Sequence, residues 1–233
     1  MKEHSPRQFI TLSLGITNCF LIPCGDDYLL VDTSTKNQYR KFLRELSVHS
    51  VKLSQIRCIF LTHHHTDHTG FLKALLDASN AVLIAHQKAL PFLAAGKDNL
   101  EMTGTTSLIR FLMRLKQIFL RERINPTVIP DKRAIIINSD NNEVLRTFGL
   151  PAKIICVPGH TGDSIALICD NGDAFVGDAA FNMPGFFNLR NRPLVAEDPS
   201  EIEAGWEKIR SENGIWLFVS HGKSLPVDKL ISK

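Results

Sequence analysis

The residues that could do chemistry are concentrated in one stretch, Thr62-His63-His64-His65-Thr66-Asp67-His68-Thr69-Gly70. Between His63 and His68, four histidines and an aspartate occupy six positions. In an extended segment alternate side chains share a side, so His63 and His65 point one way and His64 the other. Asp67 and His68 follow where the chain turns, presenting oxygen and nitrogen to a second point close by. Imidazole and carboxylate donors together suit zinc, and also manganese or iron. His64, facing away, is expected at the surface or behind the ligands. Three more donors stand where an apolar run gives way to glycine. They are His160 in Val157-Pro158-Gly159-His160-Thr161-Gly162, Asp178 in Val176-Gly177-Asp178, and His221 in Val219-Ser220-His221-Gly222. Glycine permits the close backbone approach that a crowded site demands. Each of these residues alone reads as an ordinary turn or strand-end residue. Four stations of the same kind point to one shared metal site.

The elements that must carry these stations are short apolar runs with amphipathic stretches between them. Strands are predicted at Phe9–Leu12, Cys19–Ile22, Tyr28–Val31, Ile56–Leu61 and Ala81–Ala85. Further strands are predicted at Ala134–Ile137, Glu143–Arg146, Lys153–Val157, Ser164–Ile168, Ala174–Val176 and Ile215–Val219. Helices are expected from Lys36, where Tyr39, Phe42, Leu43 and Leu46 recur at helical spacing, and over Gly70–Leu76. Another opens at Pro199-Ser200-Glu201, with Ile202, Trp206 and Ile209 on one face. Residues 98–123 form a separate helical segment. Leu108, Leu112, Leu115 and Phe119 make one stripe, while Phe111, Met113 and Ile118 lie on other faces. A helix apolar on more than one face needs a second burial partner, as core, lid or dimer contact. Periodicity alone leaves α/β and α+β both open.

The composition sets bounds on function. The 233 residues suffice for one substantial α/β domain, spanning 1–233. Twenty-seven basic residues against 24 acidic ones leave a formal charge of +3, without basic runs or stripes. That excess is too small to predict a nucleic-acid or anionic-membrane partner. No apolar run approaches the length that spans a bilayer, and the polar start Met1–Arg7 lacks a signal-like region, so a cytoplasmic protein is expected. Five scattered cysteines read as reduced thiols. Cys58, Cys156 and Cys169 in apolar runs are expected in the core, and Cys24 is left open. His86, at a strand end, is expected as a core or surface residue.

His63-x-His65-x-Asp67-His68, with His160, Asp178 and His221, resembles the ligand set of the metallo-β-lactamase superfamily. Asp32, in Leu30-Val31-Asp32-Thr33, resembles the early aspartate of that family. The resemblance covers most of the chain. It implies a four-layer αββα sandwich and two divalent metal ions, most readily Zn2+, with Mn2+ or Fe2+ possible. It implies one ion on His63, His65 and His160, a second on Asp67, His68 and His221, and Asp178 bridging them. Asp32 would orient ligands without binding metal. The implied function is a metal-dependent hydrolase whose bridging hydroxide attacks an ester, thioester or lactone carbonyl. No serine or cysteine nucleophile is required. Asp67 would also steady the nucleophile or pass a proton to the leaving group.

Departures from the family's branches bear on substrate. Secreted β-lactamases of the best-known type carry cysteine where this chain has Asp178, and di-iron flavoproteins carry glutamate at the position of His65. Gly15-Ile16-Thr17-Asn18-Cys19-Phe20-Leu21 resembles the start of glyoxalase II, but only 12 residues follow His221 here (233 − 221), where that enzyme has a helical extension. Lactonases place a tyrosine shortly after the bridging aspartate, where this chain has Phe181. Phe187, Arg190 and Lys223 follow the ligands closely and are expected to rim a pocket for a small anionic or thioester-like acyl substrate with an apolar portion. Two alternatives stay open, a phosphodiesterase acting on a small phosphodiester and a non-catalytic metal-containing binding protein. A homodimer is also left open.

Overall fold

In the central strands, successive residues bury on opposite faces, and this alternation builds the layers. The computed structural model describes residues 9–98, 103–104, 133–183 and 190–230. Six strands form the first sheet: β1 (Ile10–Leu14), β2 (Thr17–Cys24), β3 (Asp27–Val31), β4 (Ile56–Phe60), β5 (Val82–His86) and β7 (Ala134–Ile137), in that order. The first three pair antiparallel, and β3, β4, β5 and β7 are parallel. The parallel connections pass through α1 (Tyr39–Val48), α2 (Thr66–Thr69), α3 (Leu72–Ala78) and α4 (Leu90–Ala95).

The second sheet has the order β13 (Leu225–Pro226), β12 (Trp216–Val219), β10 (Asp173–Gly177), β9 (Ile165–Cys169), β8 (Ala152–Cys156). It is antiparallel except where β10 lies parallel to β12. That parallel step runs through α6 (Glu201–Ser211). A small ribbon pairs β6 (Thr103–Gly104) with β11 (Val195–Ala196).

Three buried clusters separate four layers. Leu21, Leu30, Ile59 and Leu83 of the first sheet pack with Phe42 and Leu46 of α1 and with Leu72 and Leu75 of α3. The opposite residues of the same strands, among them Phe20, Val31, Phe60 and Ile84, meet Ile154, Leu167, Phe175 and Phe218 of the second sheet. The outer face of that sheet, with Ile155, Val176 and Val219, covers Ile202, Trp206 and Ile209 of α6. This is an αββα sandwich in one domain. Trp206 donates its indole N–H to the Ala179 carbonyl at 2.8 Å, so the largest buried ring leaves no polar atom unsatisfied.

One predicted element changes type. Glu143–Arg146, expected as a strand, instead leads into and forms most of the short helix α5 (Val144–Thr147). The Asn141 side-chain oxygen accepts the backbone N–H groups of Glu143 and Val144 at 3.0 and 2.8 Å, an N-terminal cap that overrides the β preference of Val144. All five cysteines are free thiols. Cys19, Cys24 and Cys58 are buried, whereas Cys156 and Cys169, expected in the core, are only half-buried. Cys156 sits on β8, the edge strand, and Cys169 ends β9 beside it. The expected helical insertion lies outside the described residues except at Asp98 and β6. Among the described residues no helix is long and apolar enough to cross a membrane.

Candidate metal centre

Every candidate ligand follows the end of a strand. His63 and His65 lie in the extended stretch after β4, Asp67 and His68 on the single turn α2, and His160 in the β8–β9 loop. Asp178 immediately follows β10, and His221 comes two residues after β12. Two of the stations depend on glycine. Gly177 holds φ at +55°, and a Cβ there would lie 2.5 Å from the Thr62 hydroxyl. Gly222 holds φ at +102°, and its Cβ would come within 2.1 Å of the Asn182 carbonyl oxygen. No side chain fits at either place.

The structure brings all seven candidates together in overlapping donor groups, one of His63, His65 and His160, another of Asp67, His68 and His221, and a third of His63, His68 and Asp178. In the first group His65 Nδ1 lies 3.0 Å from both His63 Nε2 and His160 Nε2. Nitrogens bound tetrahedrally to one ion at about 2.05 Å stand about 3.3 Å apart, so the spacing fits a cation with little adjustment. In the second group His221 Nε2 lies 3.2 Å from Asp67 Oδ2, and His68 Nε2 lies 3.8 Å from Asp67 Oδ1. Asp178 faces both groups. Its Oδ2 is 3.5 Å from His160 Nε2 and 3.4 Å from His221 Nε2, while its Oδ1 is 3.5 Å from His68 Nε2. His68 Nε2 and Asp178 Oδ1 are buried without hydrogen-bond partners among the described residues. Orphaned polar atoms aimed at one another from several strands are costly without a shared ligand, and a divalent cation fits this N/O donor set.

Protonation divides the two groups. Burial pushes His63, His65 and His160 below the usual imidazole range, with crowding by other imidazoles adding to the effect at His63 and His65. Their lone pairs are thereby kept available. Burial acts the same way on His68 and His221, but the carboxylates win there. Asp178, Asp67 and Asp32 raise His68 well above its ordinary value, and Asp178 with Asp67 raises His221 to about 10. Against their own burial, Asp67 and Asp178 are held well below the usual carboxylate range by those histidines.

The nitrogens facing away from the centre are fixed by hydrogen bonds. His160 Nδ1–H donates to the Val195 carbonyl at 2.8 Å and His221 Nδ1–H to the Ile16 carbonyl at 3.0 Å. His68 Nδ1–H donates to Asp32 Oδ2 at 2.9 Å. The Thr62 hydroxyl donates to Asp32 Oδ2 at 2.8 Å, which leaves its oxygen to accept from His63 Nδ1–H at 3.1 Å. Asp32 also accepts from Thr62 N–H at 2.8 Å. It also accepts from the Ser220 hydroxyl at 3.4 Å, and it supports ligands in both groups, His68 directly and His63 through Thr62.

A family model described as the metallo-beta-lactamase superfamily matches residues 12–217, spanning every residue of this arrangement except His221. The chain belongs to the metallo-beta-lactamase superfamily. It is 36% identical to the "Probable metallo-hydrolase YqjP" of Bacillus subtilis (strain 168), over 90% of this chain and 68% of that protein. Across the curated relatives it matches, the chain spans 62% to 68% of their length. Among solved structures, an archaeal superfamily protein, ST1585 from Sulfolobus tokodaii, superposes with a TM-score of 0.65 at 16% identity, covering 97% of this chain and 84% of its own. TTHA1623, solved in a di-iron-bound form, gives 0.64 at 19% identity and 95% coverage of both chains. These likenesses show the fold.

Several groups that support this centre carry little sequence signal of their own. The carbonyls of Ile16 and Val195 are backbone groups. Asp98 accepts from Thr66 N–H at 2.7 Å and from the Thr66 hydroxyl at 3.1 Å, clamping the turn that bears Asp67 and His68. Asp163, three residues after His160, accepts from His64 Nδ1–H at 2.7 Å, and its proximity to a ligand was the available clue. His64 is therefore buried behind the centre. His86 is also buried, and its Nδ1 accepts from Lys88 N–H at 3.2 Å. Of the expected rim residues, Arg190 and Lys223 are exposed and Phe187 lies outside the described residues. Arg192, in the same loop, is instead paired with Glu203 and stacked over Trp206.

Proposed function

We propose that this chain is a binuclear metal-dependent hydrolase acting on the carbonyl of an ester, thioester or lactone. The observation that carries the reading is Asp178, whose carboxylate lies within 3.5 Å of ligand atoms from both three-residue groups. His63, His65 and His160 would hold one divalent ion, Asp67, His68 and His221 the other, and Asp178 would touch both. Zinc suits the donor set, and manganese or iron is compatible with it. The di-iron form of TTHA1623 supports a two-ion reading. When bound, two such ions acidify a water and polarise the oxygen on which charge develops.

The chain's own residues do the rest. Asp67 is the more accessible carboxylate of the set, with 28% of its side chain accessible against 4% for Asp178. It is the group that can take a proton from the attacking water and return it to the leaving atom. The Phe181 ring lies 4.8 Å from the His221 ring. Ile16, whose carbonyl accepts from His221, and Met183, which follows the Asn182 whose N–H donates to the His221 carbonyl, both present exposed apolar side chains. Together with the exposed cations Arg190 and Lys223, they suit a small acyl substrate bearing both an apolar portion and a negative charge.

The test joins metal analysis of the purified chain with a hydrolysis panel of thioesters, lactones, phosphodiesters and β-lactams. Two ions per chain and chelator-sensitive turnover of an acyl substrate are expected, with activity restored by added metal. Turnover confined to phosphodiesters would overturn the acyl reading, and metal-loaded protein inert on the whole panel would overturn the hydrolase.

A further inference from the structure

His65 differs from the other histidines of the centre. Each of His63, His68, His160 and His221 has its outward nitrogen fixed by a hydrogen bond, to Thr62, Asp32, Val195 and Ile16 respectively. His65 turns Nδ1 inward, and its Nε2 is buried with no hydrogen-bond partner among the described residues. An imidazole ligand without such an anchor is free to rotate about its Cβ–Cγ bond unless packing stops it. Besides its fellow ligands His63 and His160, whose rings meet it edge-on, His64 packs against it, also edge-on, with centroids 4.9 Å apart and planes at 66°.

His64 is itself held from two sides. Its Nδ1–H donates to Asp163 Oδ1 at 2.7 Å, with both side chains essentially inaccessible to solvent. Its flat face stacks on Phe92 of α4, with centroids 3.9 Å apart and planes at 16°. One contact fixes the ring's tilt and the other its plane. The residues come from three separate places in the chain: the loop after β4, the β8–β9 loop and α4. A surface histidine would need neither partner. A plain core position would be filled more cheaply by an apolar ring, because a buried imidazole and a buried carboxylate both carry desolvation costs.

We propose that Asp163, His64 and Phe92 form a positioning device that sets the ring of His65, and so the geometry and affinity of the first metal site. The inference rests on reading the two donor groups as metal sites. His64 and Asp163 would not themselves touch a metal. They act through His65 alone, in place of the hydrogen bond that its sister ligands possess. The second group does not lean on this packing, because His68 is anchored by Asp32 and His221 by Ile16.

Cobalt(II) titration of the metal-stripped full-length chain reads the two sites separately through visible absorption and competition with a chelator. Asp163→Ala is expected to weaken the first site about 10–100-fold and to alter its absorption envelope, leaving the second site near wild type. Asp163→Asn keeps an acceptor for His64 Nδ1–H and is expected to recover binding to within about fivefold of wild type. If Asp163→Ala does not fold, Phe92→Leu, which removes the stack and keeps the hydrogen bond, gives the same site-selective loss in smaller measure. Equal weakening of both sites would mean a general structural role and overturn the proposal, as would wild-type affinity and spectrum in Asp163→Ala. A wild-type chain that takes up no cobalt would sink the metal reading itself, whereas two ions bound alike in wild type and variants would sink only this inference.

Discussion

Asp32 Oδ2 lies 2.9 Å from His68 Nδ1, on the side of the ring opposite Nε2, which faces Asp67 and Asp178. The carboxylate thus fixes the tautomer that leaves Nε2 unprotonated for a cation once the centre is loaded. Asp32 sits at φ 59°, a left-handed conformation that asparagine tolerates almost as well. Asp32→Asn therefore tests chemistry with little backbone penalty. Its amide keeps one oxygen, which the Thr62 N–H claims at the place of Oδ1, so the NH2 replaces Oδ2, faces His68 Nδ1 and the Thr62 hydroxyl, and forces the imidazole proton to Nε2. Metal affinity at the second site is expected to fall about 10–100-fold, with turnover falling in parallel. Calorimetric titration checks it, and unchanged affinity would remove Asp32 from this role.

Gly177→Ala tests the close packing between β10 and the loop after β4. The new Cβ would meet the Thr62 hydroxyl at 2.5 Å and its Cβ at 2.7 Å, at a backbone angle that favours glycine. Left-handed strain costs about 1–2 kcal/mol and overpacking about 1–3 kcal/mol, so a loss of about 2–5 kcal/mol in unfolding free energy is expected. Urea denaturation of the metal-stripped variant measures it. A loss under about 1 kcal/mol would mean the loop yields easily.

The layers were legible in the sequence because strand periodicity and burial coincide. Cys58 and Phe60 face one way, Ile59 and Leu61 the other, as alternation in a two-sided buried strand requires. The donors were legible because residue type and strand-end position mark them. Their anchors were less so. A carbonyl such as Val195 has no distinguishing side chain, and Asp98 reaches Thr66 from 32 positions away with nothing in the intervening sequence to join them. Of the two places open to His64, the structure selects the one behind the ligands, and alternation tells only that it faces away from them. It cannot say whether that side is water or a buried aspartate. Residues 143–146 failed for a local reason, since a single capping oxygen on Asn141 outweighed the β-branched Val144.

Asp163 gives a pH signature to the stability of the metal-free chain. Burial alone would raise this carboxyl, but the bond from His64 holds it below the usual carboxylate value. A carboxyl depressed in the folded state contributes stability that is full above its unfolded pKa, about 3.9, and is lost as pH falls through the lower folded value. Asp163→Asn lacks this contribution. At pH 7 the variant is expected to be about 1–2 kcal/mol less stable than wild type, the difference between a charged and a neutral acceptor. The gap should hold to about pH 5 and close below about pH 4. Urea unfolding of both metal-stripped proteins at pH 7, 5 and 3.5 reads it, and a gap that widens on acidification would reverse the assigned sign.

Lys223 offers the sharpest test of substrate charge. Its backbone is fixed to Asn182, which receives Lys223 N–H at 3.1 Å and donates its side-chain amide to the Lys223 carbonyl at 2.8 Å. Asn182 N–H in turn donates to the His221 carbonyl at 3.0 Å, so this exposed cation stands on backbone locked to a ligand. A solvated charge pair is worth about 0.2–1 kcal/mol, which corresponds to a rise in KM of about 1.4- to fivefold for an anionic substrate in Lys223→Ala. Because such a charge acts equally on ground and transition states, the effect falls on KM rather than on kcat. Added salt should erase it, since exposed pairs are screened within about 10 Å at 0.1 M. A neutral ester of the same acyl group controls for lost packing by the lysine stem. Equal changes in KM for the charged and neutral substrates would show that Lys223 contributes shape rather than charge, and the anionic substrate class would fall with it.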